Sequence, residues 1–76
     1  MRLAEVYHCI FPSGEKCRAT FYVSSQEVVY SIRWLNVENA YGALQKEADL
    51  WIESCVRQFL TKYPECESLT FRQDRK

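Results

Sequence analysis

The stretch Lys16 to Leu35, "KCRATFYVSSQEVVYSIRWL", decides how this chain folds. Residues 16–24 alternate, with Cys17, Ala19, Phe21 and Val23 on one side and Lys16, Arg18, Thr20 and Tyr22 on the other. That is the period of a half-buried strand. Residues 27–35 alternate too: Val28, Tyr30, Ile32 and Trp34 form the more apolar set, and Val29, Ser31, Arg33 and Leu35 the other. The link "SSQE" is short enough for a hairpin that pairs Val23 with Val28. Phe21 then falls opposite Tyr30, Ala19 opposite Ile32, and Cys17 opposite Trp34. All the apolar side chains share one face, whereas a slip by one residue would turn one strand inside out.

Upstream, residues 2–11 form a third strand whose register is ambiguous. Its faces are Leu3-Glu5-Tyr7-Cys9-Phe11 and Ala4-Val6-His8-Ile10, each with one polar group that resists burial. The turn "PSG" (12–14) suits a three-residue loop with a glycine bulge, which pairs Phe11 with Glu15 and Cys9 with Cys17. That register buries Glu5 and sets up a strained cross-strand disulfide if the two thiols are oxidised. The alternative pairs Ile10 with Cys17 and His8 with Ala19, buries His8 and turns Cys9 outward beside Arg18. Burying a carboxylate costs more than burying a neutral imidazole, so the second register is favoured.

Downstream, Tyr41, Leu44, Ala48, Ile52, Cys55, Phe59 and Tyr63 recur at spacings of three and four, one face of a helix. Asn36 or Asn39 is the expected cap and Pro64 the stop. Such a helix has about 25 residues and a length of about 37 Å, longer than the strands it covers. "SLTFR" (68–72) alternates again and reads as a short last strand, followed by a tail. The expectation is one α+β domain over residues 1–73, with residues 74–76 as a frayed tail. Its order is β-β-β-α-β: an antiparallel three-stranded meander on one long helix, with a C-terminal strand whose neighbour the sequence leaves open. The expected core is Ala19, Phe21, Val23, Tyr30, Ile32 and Trp34 against Leu44, Ala48, Ile52, Cys55 and Phe59.

Composition limits the function. The 76 residues are 47% apolar and 14% aromatic, with two Gly and two Pro, which is the make-up of a folded chain. Ten basic residues balance ten acidic ones, so no global field draws the molecule to nucleic acid or to an anionic membrane. "MRLAEVYHCIF" lacks the apolar run of a signal peptide, and no segment suits a bilayer span. A cytoplasmic location is expected, where Cys9, Cys17, Cys55 and Cys66 stay reduced.

Catalytic and metal chemistry find little support in the sequence. The cysteines lack the close pairing of structural zinc sites, and one histidine cannot complete a set. His8 and Cys9 are adjacent on a strand, so their side chains point to opposite faces and cannot form a dyad. There is no nucleophile elbow or phosphate loop. The acidic pairs Glu47/Asp49 and Glu65/Glu67 have no pocket to drive their pKa values apart. No catalytic residue, metal or cofactor is expected, and the chain reads as a non-enzyme.

Two surfaces remain. On the outer sheet face Arg18 lies opposite Arg33, Thr20 opposite Ser31, Tyr22 opposite Val29, and Lys16 opposite Leu35, and Tyr7 is a candidate to join them. Adjacent arginines repel unless an anion visits, and Arg and Tyr are frequent in binding hot spots. On the helix, Leu50 stands among Glu47, Asp49 and Glu53, with Glu38 further up the expected helix, and makes a second candidate docking spot. The expected function is a small protein-binding module, an inhibitor or adaptor that acts by occupying a partner's surface, as a monomer or homodimer. In size, compactness and lack of chemistry it is similar to phage-encoded inhibitors, anti-CRISPR proteins among them. An alternative is nucleic-acid binding through Lys16, Arg18 and Arg33, which the zero net charge disfavours. A further alternative follows from a likeness: the β-β-β-α-β order with "ENAYGALQKEADLWIESCV" on the helix is similar to the partial RNase H-like domain of HicB-like antitoxins, which implies an antitoxin role.

Overall fold

The computed structural model describes residues 1–37 and 42–74. Its elements are β1 (Arg2–Ile10), β2 (Lys16–Val23), β3 (Glu27–Trp34), α1 (Ala43–Lys62), a 3-10 helix (Pro64–Ser68) and β4 (Thr70–Asp74). The four strands form one sheet in the order β1-β2-β3-β4. β1, β2 and β3 are an antiparallel meander, and β4 runs parallel to β3. A parallel neighbour needs a long crossover, and α1 provides it. The fold is α+β with the order β-β-β-α-β.

The β2–β3 register is the one its alternation dictates, with Phe21 opposite Tyr30 and Val23 opposite Val28. The first hairpin takes the register that was not favoured. Cys9 faces Cys17, His8 faces Arg18 and Tyr7 faces Ala19. The loop is what decides it. Phe11 N–H donates to Glu15 O at 2.9 Å, Gly14 N–H donates to Phe11 O at 2.8 Å, and Gly14 has φ 97°, a left-handed backbone that favours glycine. Asn36 fastens this loop to the far strand: its Oδ1 accepts from Lys16 N–H at 2.8 Å, and its Nδ2 donates to Gly14 O at 3.2 Å. Asn36 is therefore a turn clamp rather than a helix cap.

The burial of Glu5 that counted against this register is compensated. A bulge between Leu3 and Glu5 brings Glu5 to the end of the sheet, where Lys62 Nζ lies 2.5 Å from its carboxylate. Tyr63 Oη donates to the same carboxylate at 3.1 Å and approaches Ala4 O at 3.4 Å. These partners hold the Glu5 pKa below the ordinary carboxylate range, Lys62 foremost, against the upward pull of burial.

α1 is shorter than its periodicity suggests, 20 residues beginning at Ala43. Gly42, with φ 58°, stands at its N-cap without a side-chain bond. Asn39, Tyr41 and Glu38, which the sequence placed in or before the helix, lie outside the described residues. Pro64 ends α1 as expected and opens the 3-10 helix, which carries Cys66 into the core. β4 begins at Thr70 and runs to Asp74, so Gln73 pairs with Tyr30, and Asp74, expected in the tail, pairs with Ser31. Residues 75 and 76 lie outside the described residues.

The core forms where α1 lies on the inner sheet face. One cluster joins Ala19, Phe21 and Val28 to Ile52, Cys55, Phe59 and Cys66, and a smaller one joins Phe11 and Cys17 to Ala48. Phe11, Cys17, Val28 and Cys66 enter these clusters beyond the expected set. Val23, Tyr30, Ile32, Trp34 and Leu44 are half-buried around it. Tyr7 belongs to this inner face and meets Phe21 edge-on at 5.5 Å, which corrects its expected place outside.

Candidate interaction surface on the outer sheet face

With α1 on the inner face, no described element covers the outer one. The registers set its side chains in rows across the strands. Ile10 stands opposite Lys16, with Leu35 beyond. His8 is followed by Arg18 and Arg33. Val6, Thr20, Ser31 and Asp74 make the next row, then Leu3, Tyr22, Val29 and Arg72.

Two properties define this surface. The first is apolar exposure: Leu3 is 56% exposed and Ile10 70%, and Val6, Tyr22 and Leu35 are exposed as well. Large exposed apolar side chains gathered on one face mark interaction sites more often than scattered ones do. The second is charge. Lys16, Arg18 and Arg33 form no ion pair among the described residues. Arg72 differs, since its Nε and Nη2 reach Glu27 at 3.3 and 3.2 Å, and that carboxylate raises the guanidinium pKa.

Of the residues singled out in the sequence, Lys16, Arg18, Tyr22, Arg33 and Leu35 do share this face. Val29 does not offer itself to a partner. It is 6% exposed, packed in the inner strand β3 with Tyr22 and Arg72 as its register neighbours. Sequence reasoning missed His8, Leu3, Val6 and Ile10, all of which depend on the β1 register. The signal that could have found them is the Pro-Ser-Gly loop length.

The helix candidates lie on the opposite side of the molecule. Leu50 is 66% exposed, and Glu47 and Glu53, three residues before and after it, share its stripe. Asp49 accepts a hydrogen bond from Gln45 Nε2 at 2.9 Å. The structure does not bring these residues together with the sheet-face set.

The thiols are poor nucleophiles. Burial pushes Cys17 and Cys55 up to about 11 and raises Cys9 and Cys66 as well. At neutral pH such groups stay protonated, and the thiolate is the reactive form. All four cysteines are free. Among the described residues, no group of three or more His, Cys, Asp or Glu side chains is arranged to hold a metal. No described helix is long and apolar enough to cross a membrane. Comparison with protein-family models, with curated proteins and with solved structures gave no match.

Proposed function

We propose that the protein is a non-catalytic binding module whose outer sheet face docks on an acidic, partly apolar surface of another protein, as an inhibitor or adaptor does. The observation that supports this reading is the pair of facing arginines Arg18 and Arg33, with Lys16 beside them, set among the exposed side chains of Leu3, Val6, Ile10, Tyr22 and Leu35. Carboxylates of a partner would relieve the Arg18–Arg33 repulsion, and its apolar groups would cover the surrounding side chains. Activity of this kind requires surface occupation only.

Nucleic acid is the second reading, because the same cations could meet phosphates. Single strands also want a stacking platform, and Tyr22 is the one aromatic side chain that the described strands expose on this face. The protein partner is therefore preferred.

The test is affinity capture with the wild type, with the double variant Arg18→Glu/Arg33→Glu and with Leu50→Lys, followed by titration of the purified partner. Binding kept by Leu50→Lys and lost by the double variant supports the reading. Equal binding by all three overturns it. Salt-dependent retention of the wild type on single-stranded DNA, without a captured protein, favours the nucleic-acid reading instead.

A further inference from the structure

We infer that β1 is a dimerisation edge, at which two copies of this chain pair antiparallel through residues Val6 to Ile10 and join their sheets into one of eight strands. The backbone geometry carries the first step. Lys16 N–H is bound by Asn36, and Lys16 O accepts from Leu35 N–H at 2.9 Å. Both groups of Lys16 therefore point to β3, away from β1. Ile10, its partner, sits at a non-hydrogen-bonded position of the β1–β2 ladder, so its own N–H and C=O point outward. The same holds for His8 and Val6 by alternation. Among the described residues, no backbone bond outside the strands uses these groups. They form an open ladder edge.

Sheet edges are usually blunted by charge, proline or a bulge. The far edge fits that pattern, since β4 carries Arg72 and Asp74 and its Arg72 is paired with Glu27. β1 has its bulge at Leu3/Glu5, where Tyr63 also approaches Ala4 O. From Val6 to Ile10 there is neither bulge nor proline, and His8 is the one ionisable side chain on the outer face of that segment.

The segment is self-complementary. A two-fold axis at His8 sets Val6 of each copy against Ile10 of the other on the outer face, and both side chains are exposed in the single chain. An axis at Tyr7 would run the pairing into the bulge instead. Charge disfavours face-to-face packing about an axis through the arginine row, which would press Arg18 and Arg33 against their own copies. Edge pairing leaves the outer face open and sets the two rows His8–Arg18–Arg33 end to end.

Sedimentation equilibrium from about 10 μM to 1 mM, with hydrogen exchange on the same samples, tests this. A monomer–dimer equilibrium is expected, abolished by Val6→Lys/Ile10→Lys and kept by Leu50→Lys, with folding of each variant checked by circular dichroism. Where nine-tenths of the wild type is dimeric, the Val6, His8 and Ile10 amides should exchange about tenfold more slowly, because only the monomer exposes them. A chain that stays monomeric throughout overturns the inference. So does a dimer that the lysine variants leave intact, or one in which these amides gain no protection.

Discussion

Phe59 of α1 stacks on Phe21 of β2, with ring centroids 4.9 Å apart and planes inclined by 15°. Tyr30 also stacks on Phe21 at 5.4 Å, Tyr7 meets it edge-on, and Phe71 of β4 meets Phe59 edge-on at 6.0 Å. All four strands and the helix thus converge on two rings that are wholly buried. Phe59→Ala should cost about 3–5 kcal/mol. At roughly 0.05–0.15 kcal/mol per residue, a domain of this size is stable by about 4–11 kcal/mol, so the variant should lose a large share of its stability. Urea denaturation checks this, and a loss of less than about 1 kcal/mol would mean that the rings do not carry the core.

Asn36→Ala should loosen the first hairpin. It removes the acceptor for Lys16 N–H and the donor to Gly14 O, both at solvent-exposed positions. The expected loss is about 1 kcal/mol, with faster amide exchange at Lys16. Unchanged exchange there would show that the loop holds itself.

Stability should fall at both ends of the pH scale, for different reasons. The Glu5 pKa is lowered in the fold, chiefly by Lys62, so its contribution is present above the ordinary value of 4.5 and is lost as pH falls through the lower folded value. Cys17 and Cys55 are raised from 9.0 to about 11, so their contribution is complete below pH 9 and is lost as pH rises toward 11. Melting curves across pH should show both limbs. Glu5→Gln should flatten the acid limb, and Cys17→Ala the alkaline one.

Thiol reactivity should follow exposure. Cys9 is half-exposed on β1, whereas Cys17, Cys55 and Cys66 are buried. A maleimide should label Cys9 first in the native protein and the others only on unfolding. Labelling of Cys17 ahead of Cys9 would contradict the packing of the smaller cluster. Either register of β1 gives this order, so the experiment reports on burial and not on pairing.

The second hairpin was legible because both of its strands alternate without conflict and only one pairing puts Phe21, Val23, Val28 and Tyr30 on a single face. The first was not, because each face of β1 carries one polar residue and the choice rested on the cost of burying Glu5. That cost is met by Tyr63, 58 residues downstream, and by Lys62 beside it. No local pattern announces such a pair. The error carried through to the surface. With His8 assigned to the core, the row His8–Arg18–Arg33 and the exposed set Leu3, Val6 and Ile10 went unseen, although Arg18, Arg33, Lys16, Tyr22 and Leu35 were already placed by β2 and β3. β4 was legible as a strand but not in position, since five residues alternate equally well at either edge of a sheet.

The outer sheet face with Arg18, Arg33 and Lys16 is the proposed meeting point with a partner. The most direct measurement is the affinity of the captured and purified partner for the wild type and for Arg18→Glu/Arg33→Glu, at low and at high salt. Wild-type binding should weaken as salt rises, and the double variant should bind at least about a hundredfold more weakly while its melting temperature is kept. Undiminished binding by the double variant, with loss in Leu50→Lys instead, would move the site to the helix and contradict it.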